Sequence, residues 1–278
     1  MNISIIIPIH EYSDKISSLL DKAVESIIKQ EKIDNIPPII LVFPTAIEED
    51  IKGFVESQIR KYQDKGVTYQ NFYLVNNFEK TDYQSQVNLA VDSVTTDYFS
   101  VLEFDDEYST TFFRNASKYI ETYNDIDVFL TMMIEVNEIN QGIKLTNETV
   151  WAQQFVGENG EMGYLNANAL KQYTDFKLSG AVIKKSEFLN IGGYKSNMKL
   201  TFMYEFLLRA LNNACKIYSI PKIGYKHLAT REGSMFDEFQ KTMSIIERKF
   251  WFDTATKEAN FITDRAIDMS RLTKIVVE

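Results

Sequence analysis

The chain has 278 residues, 45% of them hydrophobic and 25% charged, with a formal net charge of −9; this is the composition of a globular protein long enough for one large domain. An acidic chain gains nothing from neutralising phosphates, so general nucleic-acid binding is disfavoured. Cys215 is the only cysteine, which excludes an internal disulfide, and no uncharged apolar run reaches the ~18 residues of a membrane span. Residues 1–9 carry no basic leader pattern, so the expected compartment is the cytoplasm.

Residues 3–9 are a continuous apolar run ending at Pro8-Ile9-His10, as in a strand covered on both faces. Ile16, Leu19, Leu20, Ala23, Val24, Ile27 and Ile28 then follow the spacing of one helical face, with Ser13 as its cap. Pro37-Pro38 leads into a second buried strand at 39–43, and Ile47, Ile51, Phe54, Val55, Ile59 and Tyr62 mark a second helix. A strand at 72–75 follows, then a helix through Tyr83, Val87, Ala90, Val91 and Val94, then a strand at 98–104. Ser109 or Thr110 is placed to cap a helix carrying Phe112, Phe113, Ala116, Tyr119, Ile120 and Tyr123. This alternation predicts right-handed crossovers and a parallel sheet with helices on both faces.

A strand at 128–134 continues the pattern, but residues 137–173 read as irregular and glycine-rich around Trp151. A long irregular stretch in a compact domain is usually functional. Beyond it come a strand at 179–184, a helix at 200–212 and strands at 216–220 and 223–227. From residue 235 the tail reads as helical, with Phe239, Met243, Ile246 and Phe250 on one face. The expected organisation is therefore one α/β domain, 1–234, with a C-terminal helical extension, 235–278, packed on it.

In open parallel sheets, ligands bind outside the carboxyl ends of the strands. That rule points to Pro8, His10 and Glu11, to Asp105-Asp106-Glu107, and to His227. Three successive carboxylates repel one another unless a cation offsets them, and Mg²⁺ and Mn²⁺ prefer such oxygens and bridge to phosphates. The alternative is a solvated acidic turn capping the next helix.

Ile3-Ser4-Ile5-Ile6-Ile7-Pro8-Ile9-His10, followed by Ala23-Val24-Glu25-Ser26-Ile27-Ile28-Lys29-Gln30, resembles the opening strand and helix of family 2 glycosyltransferases. Gln86-Val87-Asn88-Leu89-Ala90 and Asp97-Tyr98-Phe99-Ser100-Val101-Leu102 resemble the approach to that family's Asp-x-Asp motif, whose place Asp105-Asp106-Glu107 takes. Gly192-Gly193-Tyr194 and the segments 205–210 and 216–221 resemble its double glycine, late helix and late strand. The resemblance covers residues 1–235.

It implies a GT-A fold, a Rossmann-type, mostly parallel sheet flanked by helices. It also implies a nucleotide-sugar donor, a divalent metal (Mn²⁺ or Mg²⁺) and transfer of a hexosyl or pentosyl group. Asp105 and Glu107 would hold the metal, with His227 as a further ligand and Glu103 as an alternative one. Pro8, His10, Glu11, Asn88, Asp105 and Asp106 would border the donor, and Trp151 and Tyr164 would wall the acceptor. Arg209, on the late helix, is expected to be structural, pairing a carboxylate.

Three places depart from the family's pattern, one of them Glu107, which ends the acidic motif where the family has Asp. Phe43-Pro44-Thr45 replaces its Asp-Asp-Gly-Ser, so base recognition differs and UDP is not implied. Phe202-Met203 replaces the Glu-Asp pair that carries the catalytic base, leaving Glu205 as the nearest carboxylate for that role in an inverting transfer. These departures equally suit a non-catalytic module that holds a nucleotide or glycan. The chain's wording is also reminiscent of tailed-phage proteins, among which such enzymes modify hydroxymethylated DNA bases; its negative charge argues against a DNA acceptor, and glycan or protein acceptors are the commoner expectation.

Overall fold

The computed structural model describes residues 2–229, 231–262 and 274–275. β1 (Ile3–Pro8) is buried along its whole length. α1 (Asp14–Ile28) begins where the Ser13 hydroxyl accepts the amide of Ile16, answering one of the orphan N–H groups of the first turn. Its buried stripe of Ile16, Leu20, Ala23, Val24, Ile27 and Ile28 follows the predicted face. β2 (Ile39–Phe43), α2 (Glu48–Lys61), β3 (Phe72–Asn76), α3 (Tyr83–Asp92) and β4 (Tyr98–Val101) continue the alternation. β3, β2, β1 and β4 are neighbours in that order, and all are parallel. The chain leaves β1 on one side and returns on the other, so the carboxyl ends of β1 and β4 flank a switch point.

Past β4 the pattern changes. The elements are β5 (Glu107–Tyr108), α4 (Phe112–Thr122), β6 (Val128–Val136), β7 (Gly142–Thr146), β8 (Gln154–Val156), β9 (Met162–Leu165), α5 (Ala167–Gln172), β10 (Val182–Lys184), α6 (Lys185–Asn190), α7 (Phe202–Asn212) and β11 (Ile217–Leu228). β10 enters antiparallel between β4 and β6, and β11 runs parallel to β6. β9 and β8 extend the sheet beyond β11, while β7 pairs with β6 and β5 with β11.

The stretch 137–173, irregular by sequence, therefore holds three strands and a helix. These strands are too short, and β7 and β8 too exposed, to carry a periodic apolar signal. The two strands expected at 216–220 and 223–227 are one strand, bent by register shifts between Ile220, Ile223 and Tyr225 beside Pro221. α4 starts at Phe112 with no side-chain cap, so neither Ser109 nor Thr110 plays that part: the residues before it are already committed to β5.

Both sheet faces are covered. α1, α2 and α4 pack on Ile3, Ile5 and Ile7, while α3, α5, α6 and α7 pack on the side of Ile6, Ile40 and Val42. At the tail, α8 (Met235–Thr242) and α9 (Ile245–Glu258) are separate helices, because Met243 is extended and the Ser244 hydroxyl caps α9 by accepting the amide of Glu247. The break rotates the expected stripe, leaving Met243 buried and Ile246 and Phe250 exposed. α9 docks on α7 and its approach: the Thr201 hydroxyl donates to the Trp251 carbonyl at 2.8 Å, and the Asn212 amide to that of Ala259 at 2.9 Å. β12 (Lys274–Ile275) lies antiparallel to β3, and the remainder of the expected extension beyond residue 262 is outside the described residues. Among the described residues no helix is long and apolar enough to cross a membrane.

Candidate active site

Beyond β4, the chain turns through Leu102 and Glu103 at the switch point. The Glu103 amide donates to the Tyr225 hydroxyl at 3.0 Å, which ties this turn to β11. Tyr225 reaches it because residue 180 is glycine. Gly180 sits at φ +68, and a Cβ there would stand 2.7 Å from the Tyr225 Cγ, closer than side chains pack. The same segment supplies Ser179, whose hydroxyl donates to Glu103 Oε1 at 2.5 Å.

Asp106 is turned fully inward. It accepts the Leu228 amide at 2.8 Å and faces Nδ1 of His227 at 2.9 Å. Glu103, Asp106 and His227 thereby place ligand atoms within 4.8 Å of one another. Beside them Arg231 pairs with Asp105 and lies over the Phe104 ring, 5.1 Å from its centre. The His10 ring packs on Phe104 at 5.2 Å, with Nε2 3.5 Å from Glu11.

The charges do not balance. Burial pushes the carboxyls of Glu103, Asp105 and Asp106 above their usual range, and each gains a further push from a neighbouring carboxylate, against partial relief from Arg231 and His227. Burial opposes a charge on His227, but the Asp106 carboxylate outweighs it and raises the ring to about 9. Burial lowers His10, against the pull of Glu11. Three buried acids thus share two cationic partners. A divalent cation fits that deficit, and two carboxylates with one imidazole suit an ion such as Mn²⁺.

Side-chain alternation redistributes the roles expected of the acidic triplet. Of the three, Asp106 stands in the ligand trio, while Asp105 is held by Arg231. Glu107 is directed away by the pairing of β5 with β11, where it meets Lys226 at 2.5 Å. Glu103, the second choice by sequence, joins the trio, as does His227.

The general-base expectation for Glu205 does not fit its surroundings. Glu205 is fully buried in α7, its oxygens each 2.8 Å from an Arg209 nitrogen, with Lys195 at 3.3 Å. Arg209 also donates to the carbonyls of Ile191 and Gly193. This pair therefore fastens the double-glycine turn, in which Gly192 and Gly193 are both at positive φ. Asn88 does related work, donating to the Tyr194 carbonyl at 2.7 Å and accepting its amide at 2.8 Å. Pro8 is buried within β1, opposite Val42.

Trp151 is 45% exposed and stacks in parallel on Tyr173 at 4.4 Å, whereas Tyr164 packs on Tyr218 at 5.5 Å. Sequence reasoning missed Ser179 and Arg231. Arg231 carries one usable signal, its place four residues beyond the strand-end His227.

No protein-family model matches the sequence, and no curated protein matches it. Solved structures do. Residues 1–349 of S. aureus TarS in complex with UDP-GlcNAc superpose with a TM-score of 0.64 at 15% identity, over 88% of this chain and 62% of that one. The same TarS fragment alone gives 0.63 at 13% identity, over 93% and 81%. The mannosyltransferase PcManGT from Pyrobaculum calidifontis, in complex with GDP-Man and Mn²⁺, gives 0.63 at 12% identity, over 92% and 64%. The chain thus spans less than two thirds of the UDP-GlcNAc-bound TarS chain and of PcManGT. At such identities the likeness is one of fold: the chain has a GT-A-like fold, a mixed sheet, parallel through its first half, between two layers of helices.

Proposed function

We propose that this protein is a metal-assisted glycosyltransferase that takes a sugar from a nucleotide-sugar donor and inverts its anomeric carbon. The observation that carries this reading is the trio of Glu103, Asp106 and His227 at the switch point of a GT-A-like sheet. The nucleotide-sugar complexes of TarS and PcManGT, the latter with Mn²⁺, support it. Glu103, Asp106 and His227 would hold the ion. A divalent cation there supplies the positive charge that a leaving diphosphate needs. Arg231, with Asp105, offers a guanidinium to the same charge, and His10 and Glu11 border the space for the base. Trp151 is placed to stack on an acceptor sugar. With Phe43-Pro44-Thr45 in the base-binding position, the identity of the base stays open.

A second reading, a module that binds donor or glycan without turnover, draws on the engaged state of Glu205. A thermal-shift panel of nucleoside diphosphates and nucleotide sugars, with and without Mn²⁺, tests the donor site. The wild type is expected to gain a metal-dependent rise, since a ligand of the native state stabilises it by mass action; His227→Ala is expected to lose that rise. A folded wild type that responds to no nucleotide would sink the assignment. Donor binding without transfer to any acceptor or to water would favour the module.

A further inference from the structure

With Glu205 engaged by Arg209, an inverting transfer needs a different carboxylate, and the second half of the sheet holds one. β7, β6 and β11 are adjacent, and their register sets Lys144 opposite Glu135 and Glu135 opposite His227. Residues paired in register project to the same face. One row therefore runs Lys144, Glu135, His227 and, through the imidazole, Asp106.

Glu135 is 5% exposed, and its Oε1 makes no hydrogen bond. That oxygen lies 3.4 Å from Nζ of Lys144 and 3.3 Å from Nζ of Lys177. Both lysines are positioned from behind. Asn147 accepts the Lys177 amide at 2.9 Å and donates to its carbonyl at 3.0 Å, while Asp175 takes Nζ of Lys144 at 2.5 Å. The Trp151–Tyr173 stack is next door. The Tyr173 hydroxyl is pushed up by burial and then by Asp175, with Lys144, Glu148 and Glu135 also close enough to act on it. The other carboxylates near His227 are held by closer contacts than these: Asp106 by the ring at 2.9 Å, Glu103 by Ser179 at 2.5 Å, Asp105 by Arg231 and Glu107 by Lys226 at 2.5 Å.

We propose that Glu135 is the general base, receiving the proton of an acceptor hydroxyl seated between the Trp151–Tyr173 platform and the His227 row. This rests on the glycosyltransferase reading above. The acceptor O–H bond breaks and its proton goes to the Glu135 carboxylate. The oxygen's electron pair forms the bond to the anomeric carbon, and the bond from that carbon to the diphosphate oxygen breaks, its pair departing with the nucleoside diphosphate. Lys144 and Lys177 hold the carboxylate in place.

Transfer to water tests this without a known acceptor. The full chain is given Mn²⁺ and a panel of UDP-, GDP-, ADP-, CDP- and dTDP-sugars, and donor Kd and the rate of donor hydrolysis are measured separately. Glu135→Gln keeps shape and removes basicity. It is expected to hold Kd within about twofold while hydrolysis falls roughly 10²–10⁴-fold, and Glu135→Asp is expected to fall between. A merely structural ion pair would change Kd and melting point together and leave the rate per bound donor alone. Hydrolysis by Glu135→Gln within about threefold of wild type overturns the assignment. Should Glu135→Gln not fold, a folded Glu135→Asp with an unchanged rate overturns it equally. A wild type that binds a donor but transfers its sugar neither to water nor to any acceptor also removes Glu135 from catalysis, whereas one that binds no donor removes the glycosyltransferase reading itself.

Discussion

Two ionic clusters are buried in this protein, and they are built differently. In the α7 cluster, the Glu205 carboxylate meets two nitrogens of Arg209 and one of Lys195, and the remaining guanidinium bonds go to the carbonyls of Ile191 and Gly193. Charge there is closed by charge and by backbone. At the switch point, Glu103, Asp105 and Asp106 share His227 and Arg231, and burial raises all three carboxyls. A closed cluster fixes structure. A cluster short of positive charge is where a ligand gains most, and strained ionisation of this kind gathers at functional sites.

The largest effect is expected from opening the closed cluster. Arg209→Met leaves Glu205 with Lys195 as its one remaining ionic partner in an apolar interior and should cost roughly 3–5 kcal/mol, read as a lowered denaturant midpoint. Adding Glu205→Leu to it should recover only part of that loss: the unpaired carboxylate is gone and Lys195 keeps Glu258, but the carbonyls of Ile191 and Gly193 stay without their donor. Neither change should alter Mn²⁺ affinity in protein that remains folded. Next comes Gly180→Ala. The new methyl meets the Tyr225 ring, and the backbone is left-handed, so roughly 2–4 kcal/mol is expected from strain and overpacking. This loss should be accompanied by weaker Mn²⁺ binding, because Tyr225 anchors the Glu103 amide.

Glu103→Gln should reverse the sign. In metal-free protein it removes one of three crowded carboxylates and keeps an acceptor for Ser179. Stability is expected to rise by about 1 kcal/mol, a common gain when a functional charge is neutralised. The stabilisation that Mn²⁺ gives wild type should largely vanish. A metal-free Glu103→Gln that is less stable than wild type would show that the switch-point cluster is closed as well.

The difference between the clusters also explains what the sequence could reveal. β1 to β4 and their helices are legible because their strands are apolar on both faces and their helices carry one apolar stripe. Among the described residues, the buried charged side chains begin at the turn of Glu103, Asp105 and Asp106 and continue through Glu135, Lys195, Glu205 and Arg209 to Arg231. A buried charge breaks the periodicity that identifies a core position, so Glu135 reads as the wet end of an apolar strand. Nor can spacing decide which acid of 103–107 turns inward. That is set by Leu228 and His227, 122 and 121 residues from Asp106, and by the pairing of β5 with β11.

The smallest expected effect separates the sequence-level metal site from the structural one. Glu107 is 35% exposed and pairs with Lys226 at the surface, and such pairs contribute about 0–1 kcal/mol. Glu107→Gln should therefore move the melting point by no more than about 2–4 °C and leave Mn²⁺ affinity within about twofold, as calorimetric titration would show. Beside it, Glu103→Gln is expected to lose most of the metal binding. The opposite pair of results would place the ion between Asp105 and Glu107. Asp105 would then have to leave Arg231 and Glu107 would have to leave Lys226, so metal binding would begin by breaking two ion pairs rather than by filling a deficit already present.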